Sequence, residues 1–114
     1  TTALRAARGT VARLARTARE HAAMTQRPVL LTLDTHEHAI TMEGPIPVHE
    51  ALPRCIVFAA PEDQGVLQGV PERLRVVIGP DGLFSRPLLS LACGPHRGMV
   101  RFDPMTGEVA IHGE

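Results

Sequence analysis

Between residues 3 and 25 the apolar and polar positions alternate with the period of an α-helix, and after residue 28 they alternate with the period of a strand. At about 100° per residue, Leu4, Ala7, Val11, Leu14, Ala18 and Ala22 fall on one face, while Arg5, Arg8, Arg13, Arg16 and Arg19 fall within an opposite arc of roughly 140°. This predicts one amphipathic helix over residues 1–26, ended by Pro28, which has no N–H to donate. Leu4, Val11, Leu14 and Ala18 are the expected packing residues, and the arginine face is expected to look outward.

From residue 27 onward the grammar is that of an antiparallel sheet. Val29–Leu33 reads as a strand, Asp34-Thr35-His36-Glu37 as a turn and His38–Met42 as the return strand. Gly44, Pro45 and Pro47 then read as ladder breakers. Further strands are predicted at Cys55–Phe58, Leu74–Ile78 and Leu88–Cys93, with a loop over Pro61–Glu72 and a turn at Gly79-Pro80-Asp81-Gly82. Gly94–Gly98 reads as a connection. Met99–Phe102 and Glu108–His112 form a last hairpin around Asp103-Pro104-Met105-Thr106-Gly107, with Asp and Pro at the start of the turn and Gly where the chain closes it. The predicted class is α+β: a long N-terminal helix packed on antiparallel β-sheets, with residues 27–114 as the β part of one globular unit.

Composition narrows the function. The core must be aliphatic, because aromatic residues make up only 3% of the chain and Trp and Tyr are absent. Twelve arginines balance twelve acids with no lysine, so no basic surplus is present to displace the counterions of a nucleic acid, and none is expected as a partner. No apolar run reaches the length needed to span a bilayer. The chain opens on Thr1 rather than methionine, and the expectation is that a preceding segment has been removed.

Candidate chemistry is sparse. His36 and His38 lie two apart, but zinc needs three or four convergent ligands, and neither a spaced Cys pair nor a helical H-E-x-x-H accompanies them. Cys93-Gly94-Pro95-His96 places a thiol near an imidazole, yet a cysteine closing an apolar strand reads as core. No phosphate-cradling glycine loop or G-x-S-x-G elbow occurs. No catalytic residue, metal ligand or cofactor is expected. Cys55 and Cys93, 38 positions apart on strand-like segments, fit a disulfide and fit two buried thiols equally well.

The order of these parts resembles a known family. An amphipathic helix running into Arg27-Pro28-Val29-Leu30-Leu31, an apolar strand closed by Gly79-Pro80-Asp81-Gly82, and a terminal Val100-Arg101-Phe102-Asp103-Pro104-Met105-Thr106-Gly107-Glu108-Val109 hairpin are similar to the H-type minor pseudopilins of bacterial type II secretion. The chain departs from their usual pattern after the aspartate-glycine turn, where Leu83-Phe84-Ser85-Arg86-Pro87 replaces a Ser/Gly-rich stretch. The resemblance implies a pilin-like structural protein rather than a catalyst. It implies a helix continuing from a membrane-inserted segment, cleaved and methylated by a prepilin peptidase, and a domain held in the periplasm at the inner membrane. Its partners would be the major shaft subunit and the minor subunits of the tip complex, with secreted cargo as a further contact. On that view Arg5, Arg8, Arg13, Arg16 and Arg19 are the candidate subunit-contact face, pairing with carboxylates of a neighbour. The other reading is a DNA-binding minor pilin, which wants a basic C-terminus, whereas Val109–Glu114 ends neutral to acidic.

Overall fold

The computed structural model describes residues 2–59 and 72–113. Helix α1 spans Thr2–Thr25. It stops where Pro28 removes a donor, and its last carbonyls are taken up locally: Thr25 Oγ1 donates to His21 O at 2.8 Å and Gln26 Nε2 to Ala23 O at 2.6 Å. Gln26 turns the chain out of the helix with a φ of 54°. Eight strands follow: β1 (Val29–Asp34), β2 (Ala39–Glu43), β3 (Val48–Ala51), β4 (Ile56–Phe58), β5 (Arg73–Ile78), β6 (Leu88–Cys93), β7 (His96–Phe102) and β8 (Val109–Gly113).

These strands form two antiparallel four-stranded sheets, ordered β3-β2-β1-β5 and β4-β6-β7-β8. The architecture is α+β, one helix laid across both sheets. The chain moves between sheets three times, since β4 is an excursion to the edge of the second sheet before β5 returns to the first. No strand of one sheet pairs with a strand of the other among the described residues, and one isolated bridge joins Ile78 at the end of β5 to Phe84 in the connection to β6. Phe84 carries that bridge into the core by stacking on Phe102, with ring centroids 4.4 Å apart.

The helix closes the gap between the sheets. Leu4, Ala7, Val11, Ala12, Leu14, Ala15, Ala18 and Ala22 are buried, and the many alanines let its backbone approach closely. Facing them are Leu31, Leu33, Ile40, Met42 and Ile78 from the first sheet and Ile56, Leu89, Leu91, Val100 and Phe102 from the second. The expected packing residues Leu4, Val11, Leu14 and Ala18 all lie in this cluster. No described helix is long and apolar enough to cross a membrane.

Two boundaries differ from expectation. Strand β3 was hidden by Pro45 and Pro47. It begins immediately after Pro47 and lies at a sheet edge, where a missing donor leaves no gap in a ladder. Strand β7 starts at His96, not Met99, because Gly94-Pro95 alone makes the turn and Cys93 pairs with His96. The loop expected over Pro61–Glu72 lies, except for Glu72, outside the described residues.

Leu14→Asp places an unpaired charge in this core and is expected to lower the unfolding free energy by several kcal/mol in a denaturant melt. Arg13→Ala, which removes an exposed ion pair with Glu50, is expected to cost about 1 kcal/mol or less in the same melt.

Candidate functional site

The arginine face was expected to look outward, and the structure turns part of it inward. Arg8 is 3% exposed. On the helical wheel it lies about 40° from Leu4, at the margin of the apolar stripe, so the sheet reaches it. Room for its guanidinium comes from Gly98 in the middle of β7. A Cβ at Gly98 would lie 2.8 Å from both Cδ and Nη1 of Arg8. Arg8 Nη1 donates to His112 O in β8 at 2.6 Å, while its Nε is buried without a hydrogen-bond partner.

Two further arginines on this side of the helix reach the same hairpin. Arg16 Nη2 donates to Val109 O at 3.1 Å and Arg19 Nη2 to Thr106 O at 2.6 Å. As helix numbers rise through 8, 16 and 19, the acceptor numbers fall through 112, 109 and 106, so α1 and β8 run antiparallel with guanidinium groups bridging them. Arg13 instead pairs with Glu50 of β3, in the other sheet. Arg5 is exposed. Four of the five arginines assigned to a subunit-contact face are therefore engaged within the chain itself.

The hairpin turn is built to receive Arg19. Asp103 Oδ1 accepts from Met105 N at 2.8 Å and Thr106 N at 3.3 Å, and Gly107 N donates to Asp103 O at 2.8 Å. Gly107 has a φ of 74°, and a Cβ there would lie 2.3 Å from Gly82 O and 2.9 Å from Arg19 Nε. The Gly79–Gly82 turn, the Asp103–Gly107 turn and Arg19 thus meet at one point, which only a glycine at position 107 permits.

At the β1–β2 turn the polar residues organise themselves. Asp34 Oδ1 accepts from His36 N and Glu37 N, each at 3.0 Å, and Oδ2 from the Arg73 guanidinium at 3.2 Å. The Glu37 N–H does most to hold the Asp34 carboxyl below its ordinary value; partial burial opposes it, and Arg73 and the His36 N–H add to it. A groove of about 590 Å³ lies beside this turn, lined by Thr35, His36, His38, Arg54, Ile56, Val57, Phe58 and Glu72. His36 lies 3.8 Å from Glu72, and His38 has a φ of 53° and a buried Nδ1 with no hydrogen-bond partner. Among the described residues no three His, Cys, Asp or Glu side chains come together as a metal site.

The cysteine question is decided by register. Cys93 pairs with Ile56, which brings Cys55 alongside, and the two sulfurs form a disulfide with Cα atoms 4.9 Å apart. Cys93 is consequently no free thiol for His96 to activate.

Comparison with protein-family models, with curated proteins and with solved structures gives no match for this chain.

Two outcomes follow from this geometry. Gly98→Ala is expected to cost about 1 to 3 kcal/mol, because the new methyl displaces Arg8. In an Arg8→Ala background the same change is expected to be neutral or slightly stabilising, since Ala suits a strand better than Gly; a double-mutant cycle on chemical unfolding reads this coupling. Separately, the depressed Asp34 value makes its contribution to stability fully present above the unfolded carboxyl value of 3.8 and lost as pH falls through the lower folded value. Wild type is expected to lose stability over that acid window relative to Asp34→Asn, as followed by denaturant unfolding at successive pH values.

Proposed function

We propose that this chain is the head of a pilin-like minor pseudopilin, a structural subunit near the tip of the pseudopilus of a type II secretion system. The observation that carries the reading is the architecture: a 24-residue N-terminal helix whose apolar face lies across antiparallel sheets. The D-P-x-T-G hairpin at the other end of the chain returns to that helix through Arg8, Arg16 and Arg19. A helix clamped at both margins of its stripe is suited to transmit load from a membrane-anchored extension to a rigid head. No relative supports or opposes the assignment, so it rests on the order of parts and on how they pack.

In this reading the protein has no catalytic activity, binds no cofactor and does not bind nucleic acid. It works by packing against other pseudopilins, and its periplasmic domain is held at the inner membrane by a segment preceding residue 1. The intramolecular use of the arginines narrows where neighbours meet it. A contact through Arg16 or Arg19 must compete with backbone carbonyls already bound, whereas Arg5 has no such competitor among the described residues. A carboxylate is a stronger acceptor for a guanidinium than a neutral carbonyl, so an acidic neighbour can still win that competition.

The test is genetic. Deletion of the gene is expected to abolish export of type II substrates, with rescue by the full-length gene and none by residues 1–114 secreted alone. Restored export by the secreted fragment would refute membrane-anchored assembly as the mechanism.

A further inference from the structure

Strand β4 is the least secured element of the second sheet. It has three residues, stands at the sheet edge and pairs with β6 alone. The Ile56 N–H goes to Pro53 O at 3.1 Å rather than to β6, and one bond beyond the strand, Ala59 N to Ser90 O at 3.0 Å, extends the contact. Yet β4 inserts Ile56 and Phe58 into the core, 1% and 4% exposed. What closes it covalently is the Cys55–Cys93 disulfide at its N-terminal end.

That disulfide is open to attack on one side. Cys55 is exposed and Cys93 half-buried. Thiol–disulfide exchange depends on access to the sulfur attacked, so the exposed Cys55 is the side an incoming thiolate reaches.

We propose that Cys55–Cys93 is a redox latch on β4, opened by a dithiol oxidoreductase that attacks at Cys55. A thiolate of the dithiol attacks Cys55 Sγ, forming a mixed disulfide, and the Cys55–Cys93 bond breaks with its electron pair leaving on Cys93 Sγ. The second thiolate of the dithiol then attacks its own sulfur in the mixed disulfide and releases Cys55 as a thiolate. The dithiol is oxidised to a disulfide, the protein disulfide is reduced by two electrons, and the two protons given up by the dithiol end on Cys55 and Cys93. Once reduced, β4 keeps only its short ladder and two side chains. It leaves β6, whose edge becomes available for pairing, while α1, the first sheet and the β7–β8 hairpin stay in place because none of their bonds passes through β4. Redox state thereby decides whether β6 is an interior strand or an edge.

Two measurements on the whole chain test this. Oxidised protein is treated with glutathione as a monothiol probe under native conditions, alkylated with iodoacetamide and mapped by peptide mass. Glutathione is expected on Cys55 and the alkyl group on Cys93; glutathione on Cys93, or no reaction without denaturant, overturns the proposal. Amide hydrogen exchange is then compared between oxidised chain and chain reduced with dithiothreitol, with Cys55→Ser as a second reduced-like form. Exchange over residues 56–58 is expected to speed up at least about tenfold while β1 and β5 keep their protection. Unchanged protection of β4 means no latch, and equal loss in both sheets means a structural staple for the whole fold; either result sinks the idea.

Discussion

The fold depends on a set of guanidinium-to-carbonyl bonds between the first element of the chain and the last. Arg8, Arg16 and Arg19 of α1 reach His112, Val109 and Thr106 across 104, 93 and 87 residues of sequence. Such contacts matter because the two sheets share almost no hydrogen bonds and the helix is their common wall. Apolar burial alone would hold the helix to the sheets without fixing where along its axis it sits. Directional donors at three heights fix that register. Arg16 also occupies the Val109 carbonyl of β8, an edge strand that would otherwise offer it to another chain.

Arg8 is the costly member of the set. A buried cation loses its hydration, and here the Nε finds no partner to replace it. The arrangement persists because the neighbouring pieces leave it no alternative: Gly98 opens the space, the alanines of α1 bring the backbone close, and His112 O supplies the acceptor. Arg19 performs the equivalent task where two turns meet at Gly107, but nearer the surface. Arg13 links to Glu50 on the opposite sheet, so the helix is tied to both layers by polar contacts as well as by its core stripe.

Much of this is legible in the chain itself. The period of Leu4, Val11, Leu14 and Ala18 gave the helix and its buried face, and seven of the strands followed from alternation and turn residues. The eighth, β3, was obscured because proline beside a strand reads as a break unless the strand is known to lie at an edge, and edge position is a property of the assembled sheet. The start of β7 was missed because Gly98 reads as punctuation, whereas it is a vacancy made for Arg8. The use of the arginines was not legible for a deeper reason. The partners of Arg8, Arg16 and Arg19 are backbone carbonyls, which every residue carries, so no pattern of side chains announces them. The disulfide lay between these cases, since spacing permits a bridge but only strand register brings the sulfurs together.

The most direct measurement is residue-resolved amide hydrogen exchange on Arg8→Met, which keeps an unbranched apolar stem in the Gly98 space and removes the donors. If helix arginines hold the C-terminal hairpin, protection falls across β8, residues 109–113, while β1 and β5 remain as protected as in wild type. Unchanged protection of β8, or an equal loss in both sheets, would contradict the account.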